Sequence, residues 1–241
     1  MINKMLNFVD KIIHPHTYSS EAYVKHLTKT GATIGKNVVF VAPSKIVVDA
    51  GRRGYVSIGD DCVITEGVKI LCHDYSWSML VDSHGEILPD CGKTVNIGNN
   101  VFIGVNTTII GASIGDNTII GANSFVSHNL DGGYVYAGCP AKKICSLDDY
   151  YMKKKERQVE DAFFRARFIM KKLGRYPTID EMGWFCVLFF ERTEENKKYL
   201  EKLSFIGKNK EMVINLFMNS KPLFSSFDSF IEACFKDYKN G

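Results

Sequence analysis

The densest cluster of reactive side chains in this sequence is Cys72-His73-Asp74-Tyr75-Ser76-Trp77. An imidazole with an ordinary pKa near ~6.5 can take a proton from a weak hydroxyl nucleophile and return it within one turnover. His73 follows an apolar stretch and opens a long interruption, so its ring can face a cleft. It can equally be a solvated loop residue, and the residues alone leave both open. Asp74 can orient the imidazole or bind an acceptor, although adjacent side chains often point apart. His84, in Ser83-His84-Gly85, is a rival base without motif support, and His14 and His16 flank Pro15 and read as structural. The seven cysteines (Cys62, Cys72, Cys91, Cys139, Cys145, Cys186, Cys234) form no CxxC pair. None has a histidine at the spacing of a nucleophile pair, so they read as reduced thiols. Two adjacent cation pairs, Arg52-Arg53 and Lys142-Lys143, suit anionic groups.

The elements that must hold these residues show in a six-residue rhythm. Large apolar residues recur at Ile34, Phe40, Ile46, then Ile58, Ile64, Ile70, then Ile97, Ile103, Ile109, then Ile114, Ile120, Val126. Two residues before each stands a smaller one: Ala32, Val38, Ser44, Val56, Cys62, Val68, Val95, Val101, Thr107, Ala112, Thr118 and Ser124. Residues two apart on a strand share a face, so each hexad is a short strand with one large and one small inward side chain. Glycine follows the large residue at positions 35, 59, 98, 104, 115 and 121, where it lets the chain turn a corner. Three strands make one coil and four triads make about four coils: a parallel β-helix of triangular section. Interruptions at 47–57 and 71–94 leave this scaffold, and such loops are where function usually sits.

Outside the rhythm the patterns are helical. Ile2, Met5, Leu6, Val9, Ile12 and Ile13 recur at helical spacing up to Pro15, and a second short helix is expected from Glu21 to Leu27. After Ile144, Val159, Ala162, Phe163, Ala166, Ile169, Met170 and Leu173 mark one face of a long helix ended by Gly174 and Pro177. Thr178 with Glu181 forms a capping box, Thr193 starts another helix, and Asn209–Ser220 and Ser226–Asp237 are two more. The chain therefore divides into an N-terminal helical segment (1–30), the β-helix (31–145, with loop 71–94) and a helical C-terminal extension (146–241).

The run from Val95 to Gly104, continued from Ser113 to Ala122, resembles the hexapeptide-repeat acetyltransferases, whose parallel β-helix is left-handed. Tyr136 to Ile144, with Gly138-Cys139-Pro140-Ala141, is similar to that family's closing segment, and His73-Asp74-Tyr75 resembles the loop of its galactoside, maltose and surface-polysaccharide O-acetyltransferases. The resemblance implies acetyl transfer from acetyl-CoA to a saccharide hydroxyl, in homotrimers with active sites between subunits. It implies His73 as general base with Asp74 beside it. It implies coenzyme contacts at Val105, Ala122, Ser127, His128, Lys142 and Lys143, and acceptor contacts at Tyr75 and Trp77. Three departures stand out. Ile109 to Ile114 spans five residues instead of six, Phe102 replaces a common tryptophan, and Cys145 replaces an arginine. With no cysteine placed as a nucleophile, direct transfer is the simpler mechanism.

Composition narrows the rest. Lys plus Arg is 30 and Asp plus Glu is 27, and a balance of +3 gives no case for nucleic acid. The longest strongly apolar run, Trp184 to Phe190, is far short of the roughly 20 residues of a membrane span. Lys4, Asp10 and Lys11 break the N-terminal apolar stretch, so no signal peptide is expected and the protein reads as cytoplasmic. No metal is expected, because His73, His84 and His128 are too scattered for a γ-carbonic-anhydrase-like zinc site. Two alternatives are N-acetyl transfer to an amino-sugar nucleotide and a non-catalytic β-helix that scaffolds partners.

Overall fold

The computed structural model describes residues 13, 15–89, 91–236 and 238. The helix expected from residue 2 lies outside these but for its last residue. Two compact units divide the chain, Met1–Tyr150 and Tyr151–Gly241.

The first unit is a coil of short strands. They are β1 (Thr33–Ile34), β2 (Val39–Phe40), β3 (Val47–Val48), β4 (Val56–Ile58), β5 (Val63–Ile64), β6 (Lys69–Leu71), β7 (Val95–Ile97), β8 (Phe102–Ile103), β9 (Thr108–Ile110), β10 (Ser113–Ile114), β11 (Ile119–Ile120) and β12 (Phe125–Val126). Every third strand pairs in parallel, which gives three faces: β1-β4-β7-β10, β2-β5-β8-β11 and β3-β6-β9-β12. The large residues stack in register as Ile58-Ile97-Ile114, Ile64-Ile103-Ile120 and Ile70-Ile109-Val126. Every one of these nine is buried. Filling the centre with such ladders removes aliphatic surface from water only between coils, so each coil is stable through its neighbours. The inward hydroxyls of Thr107, Thr118 and Ser124 are buried too, and each donates to a nearby backbone carbonyl.

The structure corrects three details of the repeat. The glycines do not carry the corner's left-handed bend. That falls two residues on, at Asn37, Asp61, Asn100, Asn106, Asn117 and Asn123, all with φ between 54° and 59°. The glycines are needed because coils approach closely there: a Cβ on Gly104 would lie 2.5 Å from the Ala122 amide nitrogen. Second, Ser44 is exposed within the 3-10 turn Pro43–Lys45. Third, that turn lengthens the first coil, so Val48 and not Ile46 pairs with Ile70. A slip of two keeps every side chain on its own face. The five-residue step noted above turns at Gly111, with φ of 55°.

The coil's ends are covered. Helix α1 (Ser20–Thr30) puts Tyr23 and Leu27 over the first coil, and the Tyr23 hydroxyl donates to the Ile46 carbonyl at 3.0 Å. At the other end β13 (Tyr134–Ala137) extends the middle face, and β14 (Lys142–Ser146) folds back antiparallel to it. The interruption after β6 holds helix α2 (Trp77–His84), where the repeat pattern predicts only a loop.

Helix α3 (Leu147–Leu173) begins in the first unit and continues into the second, where it, α4 (Ile179–Met182), α5 (Glu194–Leu200), α6 (Lys210–Met218) and α7 (Phe227–Phe235) surround a core that includes Ala162, Ala166, Met182, Phe189, Leu200, Phe217 and Phe230. The expected caps are present: the Thr178–Glu181 capping box, and Thr193, Asn209 and Ser226 at the starts of α5, α6 and α7.

Candidate active site

Strand β6 delivers the chain to Cys72, which is buried, and alternation turns the next residue, His73, outward. One coil below, β3 delivers Asp49, whose N–H donates to the Ile70 carbonyl at 2.9 Å. Asp49 therefore stands on the same outward side as His73. Its Oδ2 lies 2.5 Å from His73 Nδ1 and accepts from the Cys72 N–H at 3.2 Å. The imidazole and carboxylate side chains are only 20% and 16% exposed. With Nδ1–H donating to the carboxylate, Nε2 keeps its lone pair and can accept a proton.

Asp74 is held elsewhere. Its Oδ1 accepts from the Ser76 N–H at 2.9 Å and the Ser76 hydroxyl at 2.6 Å, and these bonds pull its carboxyl below the usual range. Asp49, and not Asp74, is the carboxylate hydrogen-bonded to His73 Nδ1. The hexad phase set by Ile46 gives no sign of this carboxylate. Once Val48 is set opposite Ile70, Asp49 falls beside the β6 exit.

The excursion from β6 returns next to where it left, with the Lys93 N–H donating to the Cys72 carbonyl at 2.8 Å. Between departure and return lies a cleft of about 150 Å³, lined by His73, Asp74, Lys93, Ile110 and Ser127 with Cys72 and Gly92 beneath. Burial, and then the charge of Asp49, push the Cys72 thiol up, so it stays protonated at neutral pH and is a poor nucleophile. Lys93 went unnoticed in the sequence, where nothing marks one lysine at the end of a polar loop.

The other predicted residues lie at several places. Tyr75 is exposed and sets its ring edge-on to His73, with centroids 4.9 Å apart, and Trp77 opens α2, half-buried. Val105 and Ala122 follow β8 and β11 at the same corner on successive coils, both exposed. Ser127 leaves β12 into the cleft, with His128 exposed beside it. Lys142 and Lys143 lie on β14 and do not line the cleft. Lys143 sits 3.4 Å above the Tyr134 ring and 3.8 Å from the Asp131 carboxylate. His84 lies at the end of α2 against the Ser83 hydroxyl, away from the cleft lining. Among the described residues no three His, Cys, Asp or Glu side chains are grouped as a metal would require, and no helix is long and apolar enough to cross a membrane.

Comparison with known proteins agrees with this architecture. A family model described as the hexapeptide repeat of succinyl-transferase matches residues 94–128. The galactoside O-acetyltransferase of Escherichia coli (strain K12) is 30% identical over 163 residues, covering 58% of this chain and 78% of that protein. The chain belongs to the hexapeptide-repeat acetyltransferases. A second relative is Protein CapG of Staphylococcus aureus, 35% identical over 129 residues, with 53% of this chain and 73% of that protein covered. A third is the putative lipopolysaccharide biosynthesis O-acetyl transferase WbbJ of Escherichia coli (strain K12), 36% identical over 120 residues, with 46% and 61% covered. As a hexapeptide-repeat acetyltransferase the protein is an acyl-transferring enzyme. Its fold is a left-handed parallel β-helix with an N-terminal helix and a helical C-terminal extension.

Proposed function

We propose that this enzyme moves the acetyl group of acetyl-CoA onto a saccharide hydroxyl, with His73 as general base and Asp49 as its positioning partner. The observation that carries this reading is the 2.5 Å pairing of His73 Nδ1 with Asp49, beside a cleft that Nε2 can serve. Nε2 takes the hydroxyl proton as the oxygen forms its bond to the thioester carbon. The C–S bond then breaks, and the imidazolium returns the proton to the departing coenzyme A sulfur. The Asp49 carboxylate stabilises the imidazolium formed between these events. The protonated Cys72 thiol supports transfer without a covalent enzyme intermediate. Val105 and Ala122, exposed at the same corner of successive coils, would flank the pantetheine arm, and Ser127 offers a hydroxyl near the thioester. Lys142 is the freer of the two β14 cations for a coenzyme phosphate, since Lys143 already faces Tyr134 and Asp131.

The working form is a homotrimer in this reading. Met79 and Ile87 of the excursion are 68% and 73% exposed in the single chain, and a neighbouring copy would cover them. Sedimentation should then give three times the 27.1 kDa chain mass.

The deciding experiment is His73→Ala assayed with acetyl-CoA and a panel of simple glycosides and amino sugars. Acetyl transfer to glycosides should fall about 10²-fold or more while the melting curve is unchanged. Near wild-type turnover would remove His73 from the mechanism, and turnover of amino sugars alone would replace the hydroxyl acceptor with an amine.

A further inference from the structure

Lys93 has a place in the cleft that the reaction above leaves unused. Its backbone is fixed beside the base, through the hydrogen bond from its N–H to the Cys72 carbonyl. Its side chain does not simply stand in solvent. A Cβ built on Gly111 would lie 2.6, 2.8 and 3.2 Å from its Cβ, Cδ and Cγ, so the stem runs along the bare backbone of the neighbouring coil. From there it lines the cleft with His73, Ile110 and Ser127.

The neighbouring charges are already engaged. Asp49 holds His73 and the Cys72 N–H, and Asp74 accepts from Ser76. The Arg52 guanidinium donates to the Cys91 carbonyl and faces the Tyr55 ring. Among the described residues, no carboxylate forms an ion pair with the Lys93 ammonium. Lys93 is exposed at the cleft, and a cation there without an ion-pair partner favours an approaching anion over a second cation. The coenzyme does not supply that anion. With its thioester at His73, the whole pantetheine arm separates its phosphates from this point. The charge must come with the acceptor, within a lysine stem's length of the hydroxyl that reacts.

We infer that Lys93 is a specificity-determining residue that selects an anionic saccharide, one with a carboxylate or phosphate on the reacting ring or the next. This rests on the saccharide reading above and narrows it. The test compares the full chain and its Lys93 variants on three acceptors: p-nitrophenyl β-galactopyranoside, the matching uronide, and the matching 6-phosphate. Wild type should favour at least one charged acceptor over the neutral one by about tenfold in kcat/KM, and the better of the two names the anion. Lys93→Gln should erase that ratio, Lys93→Glu should invert it, and Lys93→Arg should keep most of it, with the KM for acetyl-CoA unmoved throughout. An unchanged ratio in Lys93→Gln overturns the inference. So does an equal loss on all three acceptors, which would mark a role at the thioester, or a raised acetyl-CoA KM. Wild type active on the neutral glycoside without preference sinks Lys93 alone. Wild type inactive on all three removes the saccharide reading and the inference together.

Discussion

Replacing Asp49 with Asn tests the active-site geometry most directly. The change is nearly isosteric and leaves a neutral oxygen that can still accept from the Cys72 N–H, so the exit from β6 should hold. It removes the charge opposite His73 Nδ1. The pair is 2.5 Å apart and about four-fifths buried on each side, so solvent screens it little. A hydrogen bond to a charged group in such a setting contributes roughly 1.5–3 kcal/mol. If that contribution grows as the imidazolium forms, its loss raises the barrier by a similar amount. At about 1.4 kcal/mol per decade, kcat should fall roughly 10- to 150-fold. The assay is release of free coenzyme A thiol, followed continuously with saturating acceptor, and the KM for acetyl-CoA should stay near wild type. In the His73→Ala background Asp49→Asn should cost nothing further, because the carboxylate acts through the imidazole. A kcat within about threefold of wild type would refute the positioning role, as would a full additional loss in the double variant.

Three more outcomes follow from packing and burial. Ile103 lies fully buried between Ile64 and Ile120, so Ile103→Ala should destabilise the β-helix by about 2–5 kcal/mol in chemical denaturation. A cost under about 1 kcal/mol would mean the ladder is looser than its register implies. Burial holds the Cys186 thiol up at about 11 and raises Cys72 as well, whereas Cys91 and Cys139 are exposed. Iodoacetamide at neutral pH should label Cys91 and Cys139 first by mass spectrometry, and early labelling of Cys72 would contradict its place beneath His73. Burial raises the Tyr23 phenol to about 12. The folded state then keeps a proton that the unfolded chain loses above about pH 10, so this contribution is intact below pH 10 and fades between 10 and 12. Denaturation at about pH 9 and about pH 11 should show that slope in the wild type and less of it in Tyr23→Phe.

What the sequence made legible follows from what a period of six can carry. Side-chain alternation has period two, so hexads kept the inward set right even where the register slipped. That is why eleven of the twelve small positions are buried and only Ser44 is out. The slip itself was invisible, because Pro43 starts a 3-10 turn that no hexad count detects, and with it went Asp49. The spacing of the glycines is plain, but only the neighbouring coil shows that a Cβ has no room and that asparagine takes the bend. Helix α2 went unseen because Ser76 gives it no side-chain cap and eight residues are too few for a clear stripe. The helical extension was legible because its caps are local and need no knowledge of the partner surface.

The way the excursion closes has a consequence for how such enzymes diversify. The chain leaves at Cys72 and comes back at Lys93, directly hydrogen-bonded to its point of departure, and Val95 resumes the register with Val56. The nineteen residues from Asp74 to Gly92 can be lengthened, shortened or exchanged without re-indexing a single rung of the isoleucine ladders. His73 and Asp49 stay with the coil, while Tyr75, α2 and Lys93 travel with the insert or its hinge. On the proposed reading of the site, variation can act on the choice of acceptor as an independent cassette, with the chemistry and the stability inherited unchanged from the scaffold below.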